Sequence, residues 1–155
     1  MTFQRTLNRD LPRGVAGDFA STNPRNSMLA GEGSLVAAET IAVGQFAFAD
    51  LTTGKVYSEF ASGYRVGFVH RNNQAVVPLG SAASMNIPTG REVALFTNGD
   101  FYAIAPAAVT VGATVYALNA TGALSATAAD STDTGFKFAE AGASSDLVKI
   151  TKQSI

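Results

Sequence analysis

The chain has no cysteine, no tryptophan and a single histidine, His70, in 155 residues. Absence of cysteine removes disulfides, thiolate nucleophiles and cysteine metal sites together, so stability has to come from packing or assembly. A lone histidine rules out a His-pair metal site and leaves no redundancy for a Ser-His constellation. At a strand end beside Arg71 it reads as a surface or interface residue. Charge is scarce as well: Asp, Glu, Lys and Arg make up 15% of the chain, against about 25% in an average globular protein. The formal net charge of -1 gives no global pull toward nucleic acid or acidic lipid. No stretch approaches the roughly 20 apolar residues of a membrane span, and the N-terminus lacks the apolar run of a secretory signal. The expectation is a chain made and used in a cytoplasm. A lightly charged, Ala- and Val-rich surface suits packing against other protein better than dilute solution as a monomer.

What is present falls into two parts. In residues 1–34 the bulky apolar side chains stand singly (Phe3, Leu7, Leu11, Val15, Phe19, Met28, Leu29), and Pro12, Gly14, Gly17, Pro24, Gly31 and Gly33 interrupt any regular element. Such a segment cannot by itself bury enough apolar surface to offset the entropy of ordering it. It reads as an extended N-terminal arm that a partner orders. The arm holds four of the 11 basic residues, Arg5, Arg9, Arg13 and Arg25, and no lysine. These stand against Asp10, Asp18 and Glu32, leaving the arm at +1. A nucleic-acid arm would be more densely basic, whereas the planar guanidinium matches carboxylates at a protein interface. The candidate partner-binding residues are therefore Phe3, Leu7, Leu11 and Phe19 as apolar anchors, with Arg5, Arg9, Arg13 and Arg25 as carboxylate partners.

Residues 35–155 alternate short apolar segments with Gly, Asn, Thr and Asp turns, the pattern of an all-β domain. A hairpin is expected over residues 92–105, because Asn98-Gly99 accepts the positive φ angles of a type I′ turn. Sliding the chain over itself by 68 residues lays 41–57 on 109–125 without a gap, with five identities: Val43/Val111, Gly44/Gly112, Ala49/Ala117, Thr53/Thr121 and Gly54/Gly122. The same offset lays Gly67-Phe68 on Gly135-Phe136, so the repeat runs from about 41–68 to 109–136. Each unit reads as a Val-Gly turn, an alternating strand, a Thr-Gly turn and a second short strand. The expected fold is all-β, a small β-sandwich or barrel, jelly-roll-like or β-tulip-like, with two related halves behind the arm. Phe46, Phe48, Phe68, Phe96, Phe101, Ile104, Val115, Tyr116 and Phe136 are the expected core or interface residues.

Catalytic signals are thin. Asp133-Thr134-Gly135 spells the aspartic-protease string, but Asp130-Ser131-Thr132 precedes it in place of a buried apolar strand, so it reads as a polar turn before Phe136. Asp130 and Asp133 lack the regular alternation of a calcium loop. No catalytic, cofactor or metal residue is assigned.

The arm from Gln4 to Arg25, QRTLNRDLPRGVAGDFASTNPR, followed by a Gly- and Ala-rich β-body with Val-Gly turns, resembles the structural cement (capsid decoration) proteins of tailed bacteriophages. The resemblance implies a non-enzymatic virion protein on the exterior of the head. Its implied partners are the major capsid protein and other copies of itself, as dimer or trimer, with no cofactor, nucleic acid or membrane. A tail, fibre or baseplate component shares the low charge and β-structure and is the alternative.

Overall fold

The computed structural model describes residues 13–31, 33–72, 74–77 and 85–153. Among them the chain forms strands and no helix. In chain order they are β1 (Asn26–Ser27), β2 (Val36–Ala37), β3 (Ile41–Ala42), β4 (Phe46–Asp50), β5 (Lys55–Tyr57), β6 (Arg65–Val69) and β7 (Asn86–Ile87). They continue as β8 (Leu95–Asn98), β9 (Asp100–Ile104), β10 (Thr114–Leu118), β11 (Leu124–Ser125), β12 (Ser131–Phe138) and β13 (Leu147–Thr151). A six-stranded sheet runs β1-β8-β6-β4-β5-β2, a five-stranded sheet β11-β10-β12-β13-β9, and β3 and β7 make a small ribbon.

The sequence of β4, Phe-Ala-Phe-Ala, decides how these layers stack. With side chains alternating across the strand, Phe46 and Phe48 enter the core between the two large sheets, where they join Phe68, Phe101, Phe136, Phe138 and Ile150. Ala47 and Ala49 enter a second core on the other side, with Ile41, Val56, Val69, Ile87 and Leu95. All four residues are buried, so the six-stranded sheet is covered on both faces. The five-stranded sheet is covered on one: along β12, Thr134, Phe136 and Phe138 are buried while Asp133, Gly135 and Lys137 are exposed. Each fully buried phenylalanine contributes about 1.5–3 kcal/mol. The Phe68 and Phe101 rings, 4.7 Å apart between centroids, tie one sheet to the other. Ile104, expected in the core or at an interface, is 45% exposed.

The first hairpin of each sequence repeat has one register. In the first half Phe48 pairs with Tyr57 and Ala49 with Val56; in the second, Tyr116 pairs with Ser125 and Ala117 with Leu124, the same register displaced by the offset. In both halves the next strand, β6 or β12, returns along the other side of the first. The domain is therefore a β-sandwich of two related halves. The halves part in this second pairing: the β4–β6 register displaced by 68 would set Val115 opposite Gly135 and Tyr116 opposite Thr134, but β12 bulges, so that Val115 faces Phe136 and Tyr116 faces Asp133.

That bulge corrects the reading of Asp133-Thr134-Gly135 as a turn. Gly135 has φ 73, and the buried Thr134 hydroxyl donates to the Val115 carbonyl at 2.6 Å while accepting from the Phe136 amide at 3.1 Å. Asp133 accepts from the Gly135 amide at 2.8 Å. The triplet re-aims a strand.

The hairpin expected at Asn98-Gly99 is also corrected. β8 pairs with β6 and β1, β9 pairs with β13, and the two do not pair with each other. Gly99, at φ 134, bends the chain where it leaves one sheet and enters the other, a corner of the kind that strands make when they switch sheets. Such a corner puts β9 at a sheet edge, and β8 would be the other edge if β1 did not cover it. Where the arm goes follows from those two edges.

Candidate functional site

The arm residues that the structure describes run along the β8–β9 corner and close it. On the β9 side the Gly17 amide donates to the Tyr102 carbonyl, the Tyr102 amide to Asp18, and the Ala20 amide to Asp100, each at 2.9 Å. On the β8 side, Asn26 and Ser27 pair with Asn98 and Phe96, and the Met28 amide donates to Leu95 at 2.7 Å. Backbone groups of an open edge need partners whatever the side chains are, so a segment without hydrophobic periodicity can serve.

Side chains fix the register. Phe19 stacks on His70 with ring centroids 3.9 Å apart, meets Phe96 and Phe101 at 5.4 Å each, and carries the Arg25 guanidinium 3.8 Å above its ring centre. His70 Nδ1 lies 2.7 Å from the Gly17 carbonyl, the geometry of an imidazole N–H donating to it. Expected at a surface or an interface, His70 is instead half-buried beneath the chain's own arm. Burial is the main cause of its lowered pKa, with Arg25 and Arg71 adding to it and the Gly17 carbonyl and Asp18 opposing.

Charged groups hold the flanks. Arg71 Nε donates to Asp18 at 2.7 Å, and Arg13 pairs with Glu140 and donates to the Leu147 carbonyl at 2.9 Å. Asp100 receives Ser21 Oγ at 2.5 Å, Asn23 Nδ2 at 2.6 Å and Thr151 Oγ1 at 2.5 Å. Burial raises the Asp100 pKa, but the three donors together outweigh it and hold the carboxyl below its usual value. Gln153 donates to the Pro24 carbonyl at 2.8 Å.

Of the eight arm residues expected to bind a partner, the structure thus brings three together on the chain's own body: Arg13, Phe19 and Arg25. Phe3, Arg5, Leu7, Arg9 and Leu11 lie outside the described residues. That His70, Arg71, Asp100 and Glu140 receive the arm escaped sequence reasoning, because no spacing links residues 53 to 127 positions apart. Beside the arm lies a shallow groove of about 720 Å³, lined by Gly14, Phe19, Thr22, His70 and Tyr102. Val15 and Leu29, 52% and 83% exposed, stand out from the arm. Among the described residues no three His, Asp or Glu side chains gather as metal ligands. The geometry is that of a docking surface.

A family model described as XM1 gp53 minor capsid protein matches residues 3–152. The chain belongs to that family. It is a capsid-associated structural protein of a phage virion. The XM1 gp53 family match takes in the body and all eight arm candidates. A chain of a solved structure entitled "The capsid of Myoviridae Phage XM1" is similar over 99% of this chain and 98% of its own length, with a TM-score of 0.64 and 15% identity. At that identity the likeness speaks for the fold: a whole-length β-sandwich shared with a chain of that capsid. Comparison with curated proteins gives no match.

Proposed function

We propose that this minor capsid protein is a decoration, or cement, protein that sits on the outer surface of the head and stabilises contacts between major capsid subunits, without catalysing a reaction. The observation that carries the reading is membership of a minor capsid family over residues 3–152, arm included. A cement protein acts by adding buried area across boundaries where shell subunits would otherwise separate. Standard interfaces bury about 1,200–2,000 Å², and low surface charge lowers the desolvation penalty of burying so much. Partners of this reading are the major capsid protein and other copies of the chain, as dimer or trimer.

The outward contact is assigned to the first part of the arm. Phe3, Leu7 and Leu11 serve as apolar anchors, each worth about 1.5–3 kcal/mol when buried, and Arg5 and Arg9 pair with capsid carboxylates. Arg13, Phe19 and Arg25 fix the base from which those residues reach out. Exposed ion pairs are worth about 0–1 kcal/mol, so the apolar anchors dominate.

The test adds purified protein to undecorated heads and counts bound copies. Saturable binding is expected, lost for the most part in the triple variant Phe3→Ala, Leu7→Ala, Leu11→Ala and weakened only modestly by salt. Wild-type protein that fails to bind heads overturns the decoration reading. Full occupancy by the triple variant moves the contact to the β-body.

A further inference from the structure

We propose that the corner track is a receptor for the arm of a second copy of this chain, so that neighbouring copies exchange residues 13–30 and become linked. The track is a built site. It offers two strand edges, an aromatic seat for Phe19 made by His70, Phe96 and Phe101, and acidic ends at Glu140 and Asp100. Its occupant is defined to the residue, because Gly17 tolerates nothing larger: a Cβ there would press on Val43 Cγ1, at a φ of 93.

None of these contacts depends on which chain supplies the arm. The only difference between self-docking and exchange lies in the connection back to the body. That connection passes Gly31 and Gly33, neither of which has a neighbour within 4 Å of an added Cβ, and Gly33 has φ 77. Ala30 and Leu35, buried on either side of it, mark where docked arm ends and body begins. The four residues 31–34 span at most about 14 Å when extended, so exchange is confined to copies that abut.

An empty track would leave one edge of β9 and one of β8 open at the corner, a state that edge chemistry disfavours. Every track is therefore filled, and concentration decides by whom. In dilute solution the chain's own arm wins through its high effective concentration. Where copies stand side by side, a ring in which each passes its arm to the next keeps every contact, and exchanging an identical element is a low-cost route to oligomers. The inference stands on contacts within the described chain and holds in solution, independently of the decoration reading.

The absence of cysteine makes the test direct. Two differently tagged full-length chains, one Arg13→Cys and the other Glu140→Cys, are refolded together at high concentration and treated with a short bis-maleimide. Arg13 and Glu140 are in contact, so covalent heterodimer forms only when the arm of one copy lies on the body of the other. Pro24→Cys with Gln153→Cys repeats the measurement at the far end of the arm. A single chain carrying both substitutions reports self-docking as a monomer-mass product. The expected result is a shift to dimer mass in the mixtures at high concentration and monomer-mass product from the double variants when dilute. Monomer-mass product from the double variants at every concentration, with no heterodimer from either mixture, overturns the proposal.

Discussion

Gly54 and Gly122 are the same residue in two settings. Each closes the Thr-Gly turn of its half, each amide donates at 2.8 Å to the carbonyl four residues earlier, in Asp50 and Leu118, and their φ angles are 67 and 68. The surroundings differ. A Cβ on Gly54 would meet nothing closer than 3.7 Å, while one on Gly122 would collide with the backbone carbonyl of Phe46, whose amide donates to Gly122.

Substituting each by alanine separates turn strain from packing. Gly54→Ala is expected to cost about 1–2 kcal/mol, the price of a left-handed backbone with a Cβ. Gly122→Ala adds a backbone clash at the seam of the two halves and is expected to exceed it by about 2 kcal/mol or more. Urea unfolding midpoints of the two variants check this, and equal losses would contradict the interlocked seam.

Phe19→Ala removes the ring that His70 and Arg25 hold between them. The expected loss is about 2–3 kcal/mol, below a fully buried phenylalanine because Phe19 is only partly buried. Hydrogen exchange should quicken at the Gly17, Ala20 and Met28 amides and leave β4 and β10 protected. Uniform loss of protection would mean that the arm and the core unfold together.

Stability should depend on pH through His70. Its folded pKa is lowered from 6.5, chiefly by burial, so the unfolded chain takes up its proton first. The contribution is complete above the unfolded value and is lost as pH falls below it, until the folded site also protonates. Asp100 acts in a lower window: its folded pKa is depressed from 3.8, so its contribution is present above that value and vanishes as pH falls through the folded one. Unfolding midpoints compared between about pH 7.5 and pH 5.5 should fall for the wild type and stay nearly level for His70→Phe. An equal fall in both would assign the effect elsewhere.

The two-half sandwich was legible because its signal is local. The Val-Gly and Thr-Gly turns recur at one spacing, and Phe-Ala alternation in β4 tells a strand with a bulky and a small face. The corner was not, since Asn98-Gly99 has hairpin chemistry and only the distant partners of β8 and β9 make it a sheet crossing. The arm's lack of a core of its own was legible, whereas Phe19, expected to anchor on a partner, sits on the chain's own body, and Arg25, expected to pair with a carboxylate, lies over the Phe19 ring. What they anchor to was hidden, because edge pairing is made by the backbone and leaves no pattern in side chains. His70 carried no signal of its seat under Phe19.

The central claim, that the protein strengthens the phage head, is tested most directly by heating heads assembled with and without it and recording the temperature at which they release DNA. Decorated heads should withstand a higher temperature, with the gain rising with occupancy until the sites are full. The same release temperature with and without bound protein would contradict a cementing role.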